Sequence, residues 1–148
     1  MSAFEIRRLV VGDRAAAQDM FTLMAEVFGE DSEPLGDDYV DRLLGEDSFW
    51  ALGAFAGPNI VGGLTAHRLP MTRCMLSELF IYDLAVHPDH RRQGVGTRLV
   101  QELRSAAAQV GIYEVFVAAD NEDEHALDFY RAEGAAGSPV TIFSFSTR

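Results

Sequence analysis

The sequence predicts an α/β chain built on one mixed sheet, and three observations carry that expectation. Residues 49–55 and 60–69 are strand-like runs on either side of Gly57-Pro58-Asn59, the pattern of a hairpin. A strongly apolar run at 79–86 leads into a helical period at 95–110, which leads into a second apolar run at 112–119. Strand, helix and strand in that order imply a right-handed parallel crossover, whereas the hairpin is antiparallel.

The remaining elements follow in chain order. Phe4, Ile6 and Arg8 alternate with their neighbours and suggest a first edge strand. Asp13 is placed to cap a helix over 14–28, where Ala17, Met20, Phe21, Met24, Val27 and Phe28 recur at helical spacing before Gly29 stops it. The acidic segment 30–38 holds Pro34 and Gly36 and reads as a loop. A short helix should then turn Tyr39, Val40, Leu43 and Leu44 inward. In the helix at 95–110, Leu99, Val100, Leu103, Ala106, Ala107 and Val110 form one stripe, with Gly111 as the stop. The run at 112–119 reads as a buried strand. A helix at about 124–133 and a last strand at 140–145 complete the chain. No repeat, linker or low-complexity tract divides residues 1–148, so a single domain is expected.

Charge narrows the partners. The 148 residues carry 23 acidic side chains and 12 basic ones, a formal net charge of −11, and every basic residue is arginine. Nucleic acid and anionic membrane surfaces are disfavoured, since both are bound by cationic side chains. A polyamine-like or basic-peptide partner suits the field, although solubility alone would also account for it. Cys74 stands alone, which excludes an internal disulfide, and the four histidines show no metal-ligand spacing, so no metal site is expected. No basic stretch followed by an apolar run opens the chain, and no segment nears the ~20 apolar residues of a membrane span. A cytoplasmic protein is the expectation.

Chemistry concentrates where the third strand-like run ends. His87-Pro88-Asp89-His90-Arg91-Arg92-Gln93-Gly94-Val95-Gly96-Thr97 sets two arginines and two glycines at the opening of a helix. Glycine lets an anion approach the backbone, the helix start offers amides and a positive dipole end, and arginine adds bidentate charge. This is a pyrophosphate cradle in physical terms; a capped helix start with solvated arginines is the plainer alternative. A Walker A loop is excluded by the absence of lysine, and a Rossmann fingerprint by the missing third glycine. Asp83, inside an apolar strand, is costly to bury without an arginine partner or a function.

Arg91-Arg92-Gln93-Gly94-Val95-Gly96 resembles the Arg/Gln-x-x-Gly-x-Gly/Ala signature of the GNAT superfamily of acetyl-CoA-dependent N-acetyltransferases. Leu84-Ala85-Val86-His87-Pro88 resembles the strand end before that signature, and Ala126 to Gly134 resembles the family's Ala-x-x-x-Tyr-x-x-x-Gly helix. The order of elements also resembles the family's. A finer resemblance, to type I aminoglycoside 3-N-acetyltransferases, rests on Gly62-Gly63-Leu64-Thr65-Ala66-His67-Arg68-Leu69-Pro70, on the segment from Ser77 to Val86, and on Asp120-Asn121-Glu122-Asp123-Glu124.

The resemblance implies a mixed sheet of six to seven strands flanked by about four helices. It implies acetyl-CoA as co-substrate, with Leu84, Ala85 and Val86 along the pantetheine arm and Arg91, Arg92, Gln93, Gly94, Val95, Gly96 and Thr97 at the pyrophosphate. It implies Tyr130 as the acid for the leaving thiolate and Asp83 as the base for the acceptor ammonium, with Glu78 second. Glu78, Asp120, Asp123 and Glu124 are the implied contacts to a cationic acceptor. A core aromatic role for Tyr130 and solvated loops for the acids at 30–47 and 120–124 are the bland alternatives. The expected activity is transfer of acetyl to an amine of an aminoglycoside, at the 3-N position by resemblance, through direct attack in a ternary complex. Another small polyamine or a protein amine as acceptor, or a non-catalytic CoA-binding sensor or scaffold, are the alternatives. A homodimer is an analogy from the family. Asp123 stands where many members have asparagine, Ala135 where an aromatic is usual, and Ser144 where the aminoglycoside enzymes carry aspartate; these departures bear on the acceptor.

Overall fold

The computed structural model describes residues 4–31 and 33–148. By internal contacts the chain divides into two compact units, Met1–Ala118 and Ala119–Arg148.

The first unit holds β1 (Glu5–Arg8), α1 (Arg14–Val27), α2 (Asp37–Leu44), β2 (Phe49–Ala56), β3 (Asn59–Pro70), β4 (Ser77–Val86), α3 (Val95–Gln109) and β5 (Glu114–Val117). The strands lie in sequence order, β1-β2-β3-β4-β5. The first three pairings are antiparallel and β4 runs parallel to β5. The mixed sheet, the hairpin around Gly57-Pro58 and the parallel crossover are therefore as expected.

Helices cover both faces because β3 lets them. Adjacent residues of a strand point to opposite faces. A Cβ on Gly62 would lie 2.9 Å from Val95 Cγ1 of α3, and one on Gly63 would lie 2.5 Å from Met20 Cγ of α1. The two missing side chains thus admit α3 on one face and α1 on the other. Leu99, Val100, Leu103 and Ala107 of α3 are buried on the first side; Ala17, Met20, Leu23 and Met24 of α1 are buried on the second. Arg14 then ties α1 to α2 through a bidentate pair with Asp41, at 2.9 and 2.7 Å.

Three helix expectations shift. The Asp13 side chain makes no cap bond to α1; its carboxylate accepts the Val10 N–H at 2.8 Å. In α2, Val40 and Leu44 are buried but Tyr39 is exposed, because the helix begins two residues earlier, at Asp37, and turns Tyr39 outward. Val110 follows the last turn of α3 and is exposed.

The strand expectations shift more. β5 is four residues long with alternating exposure, not a buried eight-residue strand, because among the described residues it is the terminal strand and has a ladder only to β4. The sheet has five strands among the described residues, fewer than the six to seven implied.

The second unit contains α4 (Glu124–Ala132), whose N-terminus is capped by the Asp123 carboxylate accepting the Ala126 N–H at 3.1 Å. Gly134, at φ 93°, follows α4. Residues 140–145 form no strand, a correction to the expected last element, and Val140, Ile142, Phe143 and Phe145 are exposed. β propensity alone makes no strand without a ladder partner.

Candidate active site

The β3–β4 ladder contains an irregularity that organises the site. Thr65 pairs with Asp83 but Ala66 pairs with Ile81, so Tyr82 has no opposite residue. Such a bulge re-aims the side chains that follow it. On its far side, β4 pairs with β5 only over Glu78–Ile81. Among the described residues, the backbone of β4 from Tyr82 to Val86 therefore has a ladder on its β3 edge and none on the other. Leu84, Ala85 and Val86 occupy that open edge, as a strand-like ligand arm requires.

Beyond β4 the chain makes one turn of 3-10 helix at Pro88–His90 and then the loop to α3. The His87 ring nitrogen accepts the Asp89 N–H at 3.1 Å, which fixes the turn. Two residues of the loop are left-handed, Arg92 at φ 63° and Gly94 at φ 79°. Arginine adopts this conformation at a cost of about 1–2 kcal/mol, so the surrounding chain imposes it. Alternating backbone handedness turns successive amides toward one concavity, an anion-binding nest. The first intrahelical bond of α3 is Arg98 N–H to the Gly94 carbonyl at 3.0 Å, so the Val95 and Gly96 amides precede the ladder at its positive end. Arg91, Arg92 and Gln93 are exposed at this rim. The cradle, the arginines and the open strand edge together fit coenzyme A, which carries a pyrophosphate and an amide-bearing arm.

A cavity of about 450 Å³ opens on the α1 side of the sheet, lined by Asp83 and Thr65, by Phe21, Met24 and Glu26 of α1, and by Phe28, Glu30, Asp31 and Glu33 after it. Asp83 is half-buried, and among the described residues no arginine pairs with it, so the core-partner alternative does not hold. Burial first, and the Glu30 charge second, raise its carboxyl above the ordinary value, against a smaller lowering by His67. His67 is itself held between rings, 5.5 Å from Phe49 and 5.6 Å from Tyr82.

The structure brings some expected residues together and not others. Asp83 lines the cavity and Glu78, five residues back on β4, does not. In the second unit the Asp123 carboxylate caps α4, the Asp120 carboxylate accepts the Glu122 N–H at 2.9 Å, and Glu124 is the first residue of α4. Tyr130 lies on α4 with its ring edge-on to Phe129 at 5.1 Å. Glu30, Asp31 and Glu33 belong to the acidic stretch 30–47, which the charge pattern offers as a cationic-acceptor site or a solvated loop, and they line this cavity; Glu26, on α1, has no such signal in the sequence. Phe28 was assigned to the helical apolar stripe, whereas it is an exposed aromatic on the cavity wall. Among the described residues no group of acidic, histidine or cysteine side chains could hold a metal ion.

Known proteins resemble this chain in sequence and in fold. Residues 17–135 match the acetyltransferase (GNAT) family. A thialysine N-epsilon-acetyltransferase from Bos taurus is 28% identical over 114 residues, covering 76% of this chain and 62% of the relative's own length. An aminoglycoside acetyltransferase from an uncultured soil metagenomic sample, solved with sisomicin, is 31% identical at a TM-score of 0.94, over 98% of this chain and 97% of the other. A second such enzyme from soil is 33% identical at 0.93, over the full length of both.

Proposed function

The chain belongs to the acetyltransferase (GNAT) family, and from that premise we propose that it transfers acetyl from acetyl-CoA to a primary amine of an aminoglycoside. The observation that carries the reading is an acid-lined cavity with Asp83 on its wall, on the strand that leads into an arginine–glycine cradle. The likeness of two soil aminoglycoside acetyltransferases, each over nearly the whole chain, supports the acceptor class.

Acetyl-CoA supplies an acetyl group already activated as a thioester. Arg91 and Arg92, with the amides from Gln93 to Thr97, bind its pyrophosphate, and the backbone of Leu84, Ala85 and Val86 pairs with its arm. An ammonium has no lone pair, so Asp83 must take a proton from it before the nitrogen can attack. A carboxylate that burial makes more basic than usual is suited to that task while still attracting the cation. The amine then attacks the thioester carbonyl directly in a ternary complex. Tyr130, by family resemblance, gives a proton to the departing thiolate. Glu26, Glu30, Asp31 and Glu33 hold the other ammonium groups and orient the reacting one. Glu78, Asp120, Asp123 and Glu124 remain as further acceptor contacts implied by resemblance. The 3-N position is the regiochemistry that this resemblance favours.

The likeness to the thialysine enzyme favours one other acceptor class, small amino-acid-like amines. One experiment tests both. Purified protein is given acetyl-CoA with a kanamycin-type aminoglycoside, a gentamicin-type aminoglycoside, spermidine or thialysine, and thiol release is followed. Turnover with the aminoglycosides is expected. Turnover confined to the last two would replace the acceptor, and CoA binding without turnover on any amine would leave a binding protein.

A further inference from the structure

The cavity presents two carboxylates of different standing. Asp83 is half-buried on β4 and Glu30 is exposed on the loop after α1, yet both line the same space. Like charges sharing a cavity disfavour each other's ionised form, and a cation arriving at one relieves the other. The other charged groups lining this space are Glu26 from α1 and Asp31 and Glu33 from the same loop as Glu30; His67 on β3 also acts on Asp83 without lining the cavity. Of the four exposed acids, Glu30 is the one whose charge bears on Asp83. A volume of about 450 Å³ accommodates an acceptor carrying more than one amine.

We propose that Glu30 is a positioning residue that couples acceptor binding to the readiness of the base: a non-reacting ammonium of the acceptor settles against Glu30, and Asp83 thereby gives up its proton to water. The inference rests on the acetyl-transfer reading for the identity of the base. The bookkeeping is simple. The Asp83 O–H bond breaks and its proton leaves to solvent as the polyamine binds. Asp83, now a carboxylate, accepts a proton from the reacting ammonium as that N–H bond breaks. The second ammonium stays against Glu30 throughout. A monoamine fills only one of the two positions, so it binds without this assistance. The cavity thereby selects acceptors with at least two amines.

Calorimetric titration of the protein with a kanamycin-type aminoglycoside, in buffers of differing ionisation enthalpy at mildly acidic pH, reads the proton directly. The titration is done without acetyl-CoA, so it does not depend on turnover. Net proton release is expected with wild type and is lost in Glu30→Gln and in Asp83→Asn. It persists in Glu102→Gln, a single-charge control on α3. Glucosamine, with one amine, releases less. Separately, the acid limb of kcat/KM moves to lower pH in Glu30→Gln, and KM rises for the aminoglycoside more than for glucosamine. Unchanged proton release in Glu30→Gln, or none in wild type while the aminoglycoside still binds and is acetylated, overturns the coupling and leaves the acetyltransferase reading standing. Binding and proton release as expected, but no acetylation of any amine, overturns the activity instead.

Discussion

Asp83 lies opposite Thr65 across the β3–β4 ladder because Tyr82, just before it, has no partner. Without that extra residue Asp83 would be shifted by one position, onto the other face of the sheet. The bulge is thus what delivers a carboxylate from an apolar strand to the α1-side cavity.

Asp83→Asn should lower kcat by about 100- to 10,000-fold, the usual range for a general base, and leave the Kd for CoA nearly unchanged. It should also raise stability at neutral pH. A carboxyl whose folded value is raised keeps its proton in the native state above the ordinary value, so stability falls as pH rises through that window. Thermal melts from about pH 4 to about pH 7 should show this loss in wild type and a flatter profile in the variant. Equal slopes would contradict the raised carboxyl.

Tyr130→Phe should lower kcat while CoA affinity is kept, because the ring remains and only the proton donor goes. A loss confined to CoA binding would assign the residue to packing.

If Arg91 holds the CoA pyrophosphate as proposed, Arg91→Ala should remove charge-assisted contacts worth about 1.5–3 kcal/mol, roughly a 10- to 100-fold rise in the KM for acetyl-CoA. Gly94→Ala meets no atom within 4 Å, yet its φ of 79° strains any residue with a Cβ. The cost is about 1–2 kcal/mol, expected as weaker CoA binding in titration, with the aminoglycoside affinity unaltered.

The Arg14–Asp41 pair predicts an acid-sensitive hold on α2. The guanidinium hydrogen bond holds the Asp41 carboxyl below its ordinary value, so the pair's contribution is complete above that value and fades as pH falls through the lowered one. Urea midpoints of wild type and Asp41→Asn should differ at neutral pH and converge in acid.

How much of this was legible follows from the range of the interactions. Helices α1 and α3 were visible because their buried faces repeat at 3.6 residues, and the cradle because glycine and arginine are informative types in a chain of net charge −11. The hairpin was marked by Gly57-Pro58. The only local trace of the bulge at Tyr82 is Asp83, a poor strand former among apolar neighbours; nothing in the residues themselves marks the change of register. The acidic stretch from Glu30 reads equally as an acceptor site or a solvated loop, and Glu26 as a solvated helix position; only their sharing a cavity with Asp83 distinguishes them. The run at 140–145 shows the opposite failure: its composition suits a strand, but pairing is a property of two segments.

Gly62 and Gly63 give β3 a mechanical meaning. Gly63→Ala would drive a methyl into Met20, and Gly62→Ala would drive one toward Val95 and the Ala85 carbonyl. The helix that opens from the cradle and the helix that walls the cavity are therefore clamped to consecutive links of one strand, on opposite sides. Sliding either helix along the sheet would therefore have to move it against the same two peptide units, so β3 sets where α1 and α3 stand relative to each other.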